Sequence, residues 1–328
     1  MAEKTRWGIL STGSIAGIFA TGLKELPDAE IVAVGSRSQD SADAFGARFN
    51  IPRRYASYED LANDPEVDAI YIGTPHPMHK DSALLCLNAG KAVLCEKPFM
   101  LNAGETRTVI QTARERGVFL MEAMWTRFIP ATTKVRELIA SGAIGDVRLM
   151  TVDFGFRATF DPKHRLFAPE LGGGSLLDIG VYDLALASLV FGRAPIHVVA
   201  DADKGATGVD EQMAAILRYD DGALAVLTSA VRTDTPQEAV INGTHGRIRI
   251  HSQFWRPTRL TVTIPNEPER VYDIPYAGNG YHYEAAEVAR CLREGLTESP
   301  TMPLDETLAI METMDTIRAA FGLVYPRE

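Results

Sequence analysis

The sequence predicts an α/β chain in two parts. A doubly wound parallel sheet comes first, followed by an α+β part built on a large, mostly antiparallel, open-faced sheet. Three observations carry this. Roughly the first 120 residues alternate short apolar runs with helix-period segments, as parallel βαβ units do. Beyond about residue 125 the runs lengthen and alternate in polarity, with hairpin turn signals between them, as strands buried on one face do. A length of 328 residues is about twice that of an ordinary domain. The expected division is 1–124 and 125–328.

In the first part, apolar runs at 7–10, 31–34, 69–72, 92–95 and 118–121 read as short strands buried on both faces. Helical patterns occupy 15–26, 41–49, 80–89 and 103–116. The first strand runs into 8-GILSTGSIA-16, where the dinucleotide fingerprint G-x-G-x-x-G/A maps onto Ser11, Gly13 and Ala16. A Rossmann dinucleotide-binding domain is therefore expected. Gly13 would let the backbone approach a pyrophosphate, with Thr12 alongside and the amides of Ser14, Ile15 and Ala16 binding it. Ser11 stands where the first glycine belongs, so a generic tight βα turn is the competing reading.

The second strand ends 33-AVGSRSQD-40. An NAD-specific site would place Asp or Glu here, on the ribose 2′-hydroxyl. Ser36, Arg37 and Ser38 stand there instead, and a guanidinium flanked by hydroxyls suits a 2′-phosphate. NADP is favoured, with NAD use left open; a solvated surface arginine is the plainer alternative. The third strand end, 73-GTPHPMH-79, puts Thr74, Pro75, His76 and His79 at the ligand edge of the sheet. No Cys or carboxylate cluster accompanies the two histidines, so no metal is expected. His79 either opens the next helix or contacts the cofactor.

The fourth strand end, 93-VLCEKPF-99, turns from apolar residues into Glu96, Lys97 and Pro98. Taken alone, Lys97 is a solvated strand end. Strand–E-K-P after a nucleotide-binding first turn resembles the Gfo/Idh/MocA oxidoreductases. The resemblance continues through 121-MEAMWTRFIP-130, 139-IASGAIGDVRLMTVDFGF-156 and 171-LGGGSLLDIGVYDLAL-186. It implies that Lys97 lies beside the nicotinamide and the reacting carbon, with Glu96 in the cofactor site and Lys97–Pro98 a cis peptide. Most of the family carry Asp and, four residues on, His in the glycine segment; here these are Asp178 and Tyr182. That departure, with MWTRF, 277-AGNGYHYEAAEVARCL-292 and YPRE, is similar to the dimeric dihydrodiol dehydrogenases and NADP-dependent D-xylose dehydrogenases.

Asp178 and Tyr182 are spaced to share one helix face. A lysine cation about 4 Å from the Tyr182 phenol would stabilise phenolate by roughly 4 kcal/mol at an effective dielectric near 20. That is enough to bring a tyrosine from roughly 10 toward neutrality, where a general base for alcohol oxidation belongs. The catalytic expectation is therefore Lys97, Tyr182 and Asp178. The bland readings are a core tyrosine and an Asp N-cap. Substrate contacts are expected from Trp125, Arg127, Phe154, Arg165, Asp178 and Tyr182. Phe156, Phe254 and Trp255 would extend an aromatic wall, which the resemblance implies for an apolar substrate pocket.

The second part reads as strands at 147–156, 196–202, 213–219, 223–230, 238–242, 248–251, 260–264 and 271–274. Turns at 219-YDDGA-223 and 242-NGTHG-246 fit hairpins. With helices on one face, the other needs cover, so a homodimer through this sheet is expected. A net charge of −10, with no basic run, excludes nucleic acid and disfavours anionic membranes. No uninterrupted apolar run approaches a membrane span. Three scattered cysteines and an N-terminus without signal-peptide shape fit a cytoplasmic protein. The expected activity is hydride transfer between NADP and a cyclic polyol, an aldose at C1 or a trans-dihydrodiol. A cofactor-sensing regulator without turnover is the rival reading.

Overall fold

The computed structural model describes residues 4–326 and 328. Six strands form the first sheet: β1 (Thr5–Leu10), β2 (Ala29–Gly35), β3 (Arg53–Tyr55), β4 (Ala69–Ile72), β5 (Ala92–Glu96) and β6 (Leu120–Ala123). Their order is β3-β2-β1-β4-β5-β6 and every pairing is parallel. The chain reverses direction across the sheet between β1 and β4, the switch point at which open α/β sheets bind ligands. Helices α1 (Ser14–Gly22), α2 (Gln39–Phe49), α3 (Tyr58–Ala62), α4 (His79–Asn88) and α5 (Ala103–Arg116) connect the strands. β4, β5 and β6 are buried along their whole length, which is why they read as unbroken apolar runs. β3 and α3 escape the sequence reading. They are three and five residues long, too short to show a period.

The second sheet holds β7 (Val147–Gly155), β8 (His197–Lys204), β9 (Asp210–Arg218), β10 (Leu224–Ala230), β11 (Ala239–Gly243), β12 (Arg247–Ile250), β13 (Arg259–Thr263) and β14 (Arg270–Asp273). These are the eight expected strands, shifted at their ends by up to three residues. The order is β14-β13-β12-β11-β7-β10-β9-β8. All neighbours run antiparallel except β7 with β10. Alternation is clean along β9, where Met213, Ala215 and Leu217 are buried while Gln212, Ala214 and Ile216 face out. Helix α6 (Pro130–Ala140) packs on β13, and α7 (Val181–Phe191) on β7 and β10.

Contacts divide the chain into two compact units, 1–100 with 104–125 and 277–307, and 101–103 with 126–276 and 308–328. The chain enters the second unit for residues 101–103 and again after residue 125; the expected boundary is 124/125. Residues 277–307, which the sequence alone assigns to the second part, pack instead with the first. They carry helix α8 (His282–Arg293). Arg293 pairs with Asp28 at 2.9 Å, Asn279 Nδ2 donates to Ile18 O at 2.7 Å, and Leu120 N donates to Thr297 O at 3.1 Å. The apolar stripe of α8 shows that it must cover something. Its period cannot say which sheet.

The segment Pro169–Phe191 is 23 residues long, with mean hydropathy 1.5 in its most apolar window, enough by length and composition to cross a membrane. Glycines and Asp178 interrupt it, so no unbroken apolar run marks it in the sequence. Of that window 89% is buried inside the protein, so its apolar surface belongs to the core.

Candidate active site

The first turn adopts the backbone that the fingerprint requires, even without its first glycine. Ser11 has φ +96°, a left-handed value that favours glycine. Its hydroxyl accepts weakly from Gly13 N–H at 3.4 Å. A Cβ placed on Gly13 would meet nothing nearer than Ser11 Oγ at 3.7 Å and Gly73 O at 3.9 Å. Packing within the protein therefore does not demand glycine there; close approach of a ligand would. No side chain caps α1, no acidic residue stands in its first turn, and Gly13 and Ser14 are exposed. The amides of Ser14, Ile15 and Ala16 are thus available to an anion. Thr12 Oγ1 reaches Ser36 Oγ at 3.4 Å, joining this turn to the end of β2. Arg37 is exposed there with Tyr58 against its guanidinium. Ser38 N-caps α2, its hydroxyl accepting from Ser41 N at 3.3 Å.

The loops after β4 and β5 are tied to each other. Lys97 is half-buried between fully buried neighbours, and the Lys97–Pro98 peptide is cis, as the resemblance implies. Glu96, expected at the cofactor, is buried: Oε1 accepts from the Tyr71 phenol at 2.5 Å and Oε2 from Lys97 N at 3.2 Å. It holds the turn from within. His79 opens α4, the first of its two expected readings. Its ring is fully buried, with Nδ1 3.0 Å from Pro98 O and 3.2 Å from Phe99 O, and Nε2 2.9 Å from Thr74 O. Both nitrogens lie against backbone carbonyls. His76 lies edge-on to it at 5.7 Å. Pro75 is exposed at the sheet edge, whereas Thr74 is buried and its hydroxyl finds no partner among the described residues. An orphaned hydroxyl, open space at Gly13 and an uncapped helix start together fit a dinucleotide.

In the second unit, Asp178 stands in one turn of π-helix, Leu176–Gly180, that leads into α7 and Tyr182. π-turns are rare and concentrate at functional sites. Asp178 and Tyr182 are both buried, and Asp178 pairs with Arg165. The N-cap role that the bland reading gives Asp178 belongs to Asp210. Its Oδ2 accepts from Leu176 N at 2.7 Å and from Ser175 Oγ at 2.8 Å. Asp210 lies 34 residues beyond Leu176 at the start of β9, and no local pattern signals it. Tyr325 adds a second brace, donating to Gly173 O at 2.7 Å.

Aromatics gather around Phe154. Its ring stacks on Trp255 at 3.8 Å and meets Tyr182 at 5.7 Å, Phe254 at 5.9 Å and Phe156 at 6.4 Å. Trp125 stacks on Tyr281 at 4.5 Å, within the first unit. Arg127 is buried and donates to Ala185 O of α7 at 3.2 Å.

Known proteins are similar to this chain over nearly its whole length. Residues 5–124 match the family model described as oxidoreductase family, NAD-binding Rossmann fold, and residues 132–249 match the GFO/IDH/MocA C-terminal domain. A trans-1,2-dihydrobenzene-1,2-diol dehydrogenase of Xenopus tropicalis is 43% identical over 98% of this chain and 99% of its own length. The chain belongs to the Gfo/Idh/MocA oxidoreductase family. The Homo sapiens protein of the same name is 39% identical over 98% of each chain. Among solved structures, the aldose-aldose oxidoreductase from Caulobacter crescentus, complexed with glycerol, aligns with TM-score 0.88 at 25% identity over 97% of both chains. The 3-ketoreductase KijD10 from Actinomadura kijaniata, in complex with NADP and TDP-benzene, aligns with TM-score 0.86 at 26% identity, covering 97% of this chain and 98% of its own. This member of the Gfo/Idh/MocA family is a dehydrogenase dependent on a nicotinamide dinucleotide and acting on CH–OH groups.

Proposed function

We propose that the protein is an NADP-dependent dehydrogenase of cyclic polyols, either a trans-dihydrodiol or an aldose oxidised at C1. The observation that carries this reading is the Phe154–Trp255 stack beside Tyr182, on the same unit as the Arg165–Asp178 pair. An apolar wall next to hydroxyl-binding groups suits a ring that carries vicinal hydroxyls. When bound, the nicotinamide dinucleotide supplies the hydride acceptor. The chain's own groups do the rest. Tyr182 takes the hydroxyl proton, Lys97 stabilises the developing alkoxide, and Asp178, held by Arg165, orients the substrate hydroxyl. Arg37 with Ser36 and Ser38, and no carboxylate among these three, supports NADP over NAD; the NADP held by KijD10 agrees.

The same reading includes a homodimer through the open sheet face. Val199, Ile216 and Val226 lie in register across β8, β9 and β10, and Val199 and Ile216 are 55% and 45% exposed. Three buried free thiols, Cys86, Cys95 and Cys291, support a reducing, cytoplasmic setting. The test is a panel of aldoses and trans-dihydrodiols with NADP+ and NAD+, followed by the absorbance of reduced nicotinamide. Lys97→Met and Tyr182→Phe should each lower turnover at least about a hundredfold. If both stay within about threefold of wild type, the assignment is wrong.

A further inference from the structure

The Thr74 loop and the Lys97–Pro98 turn sit at neighbouring strand ends, and one buried ring spans them. We propose that His79 is a positioning residue for Lys97, an inference that rests on the reading of Lys97 as the catalytic cation. The imidazole bridges Pro98 O and Phe99 O on one side to Thr74 O on the other, at 2.9–3.2 Å. Glu96 holds the same turn from the opposite end, through Tyr71 and Lys97 N. Lys97 is thus fixed by its backbone on both flanks, by residues whose own side chains are buried.

The chemistry of the bridge is asymmetric. A neutral imidazole has one N–H and one lone pair, yet all three neighbours are carbonyl acceptors. Burial holds the ring's pKa below its ordinary value, and the nearby Lys97 cation works in the same direction, against the three carbonyls that favour protonation. The neutral ring therefore has one proton to offer two loops. If that proton sits on Nδ1, it bonds the Lys97 turn directly. Asn at this position presents an amide N–H where Nδ1 stands, while Gln presents one where Nε2 stands. The two amides separate the halves of the bridge.

The experiment compares His79→Asn, His79→Gln and His79→Leu in the full chain. Each is measured for kcat at saturating substrate, for thermal midpoint, and for acylation of Lys97 by acetic anhydride read by peptide mass spectrometry with and without NADP+. The expected result is that Gln and Leu lower kcat by on the order of tenfold to a hundredfold, whereas Asn recovers to within about threefold. Lys97 should be protected by NADP+ in wild type and in His79→Asn, and lose that protection in the other two. Equal kcat losses in all three, tracking their thermal midpoints, would make His79 a packing residue and overturn the proposal. So would unchanged kcat throughout. The acylation readout does not depend on turnover. If wild type oxidises no polyol while the Asn–Gln split in Lys97 protection holds, the functional reading fails and the positioning role stands.

Discussion

Arg165 and Asp178 form an ion pair that the chain reaches only by doubling back at Gly173. A Cβ there would lie 2.9–3.0 Å from the carbonyl oxygens of Leu166, Ala168 and Arg165, closer than real packing allows. The glycine lets the loop that carries Arg165 lie against the segment that carries Asp178. The Asp178 side chain is 6% exposed and the Arg165 side chain 56%, so the arginine links a buried carboxylate to solvent.

Replacing Arg165 should therefore affect chemistry more than stability. A pair with one half-exposed partner contributes about 1 kcal/mol or less to folding. Loss of orientation at Asp178 should cost more, lowering kcat/KM by roughly tenfold to a hundredfold in Arg165→Met. Lysine should restore part of this, because its point charge cannot reproduce the planar fork. Steady-state kinetics beside urea melts checks the split. An unchanged kcat/KM would show that the pair is only structural.

Arg37 should set cofactor preference. A charge-assisted bond to a 2′-phosphate is worth roughly 1.5–3 kcal/mol. Arg37→Ala should then raise KM for NADP+ by about tenfold to a hundredfold and leave KM for NAD+ within about twofold. Equal shifts for both cofactors would place Arg37 outside the 2′-phosphate site.

Ser11 offers a separation of strain from binding. Its φ of +96° costs of order 1–3 kcal/mol in a non-glycine residue. Glycine would relieve that strain while adding about 0.5–1 kcal/mol of unfolded-state entropy. Ser11→Gly should therefore stabilise the protein by up to about 2 kcal/mol. If the Ser11 hydroxyl also donates to the diphosphate, affinity for NADP+ should fall by about fivefold to tenfold in the same variant. Calorimetry and a fluorescence titration of the cofactor read the two effects apart. A lower melting temperature would refute the strain argument.

Ser11 also shows what was legible in the sequence and what was not. Its identity weakens the fingerprint on paper, yet strand, turn and helix impose the glycine-like backbone regardless. Sequence singles out Lys97, Asp178 and Tyr182 because strand ends and residue spacing are local properties. The inward turn of His79 and Glu96, both buried, is not local in this way. A polar residue at a ligand-edge turn reads as ligand-facing, and only tertiary contacts to Pro98, Phe99 and Tyr71 turn it inward. The stack of Trp125 on Tyr281, 156 residues away, rests on a segment whose docking no period reports. Asp210 was invisible because it caps a helix start from a distant strand.

Asp210 yields the last prediction. It is fully buried, and burial pushes its carboxyl up to about 6, against the bonds from Leu176 N and Ser175 that favour the anion. Both donors reach Oδ2, while Oδ1 has no partner among the described residues and can carry the proton. A folded-state value above the unfolded one means that the folded protein binds more protons between about pH 4 and pH 6. This group's contribution is therefore fully present below about pH 4 and is lost as pH rises through about 6, roughly 3 kcal/mol in all. Asp210→Asn keeps an acceptor for both donors and removes the titration. The stability of wild type minus that of the variant should fall from about pH 4 to pH 6 and stay flat above. Urea midpoints taken across this range measure it, and a flat difference from acid to neutral would mean that Asp210 is an ordinary, ionised cap.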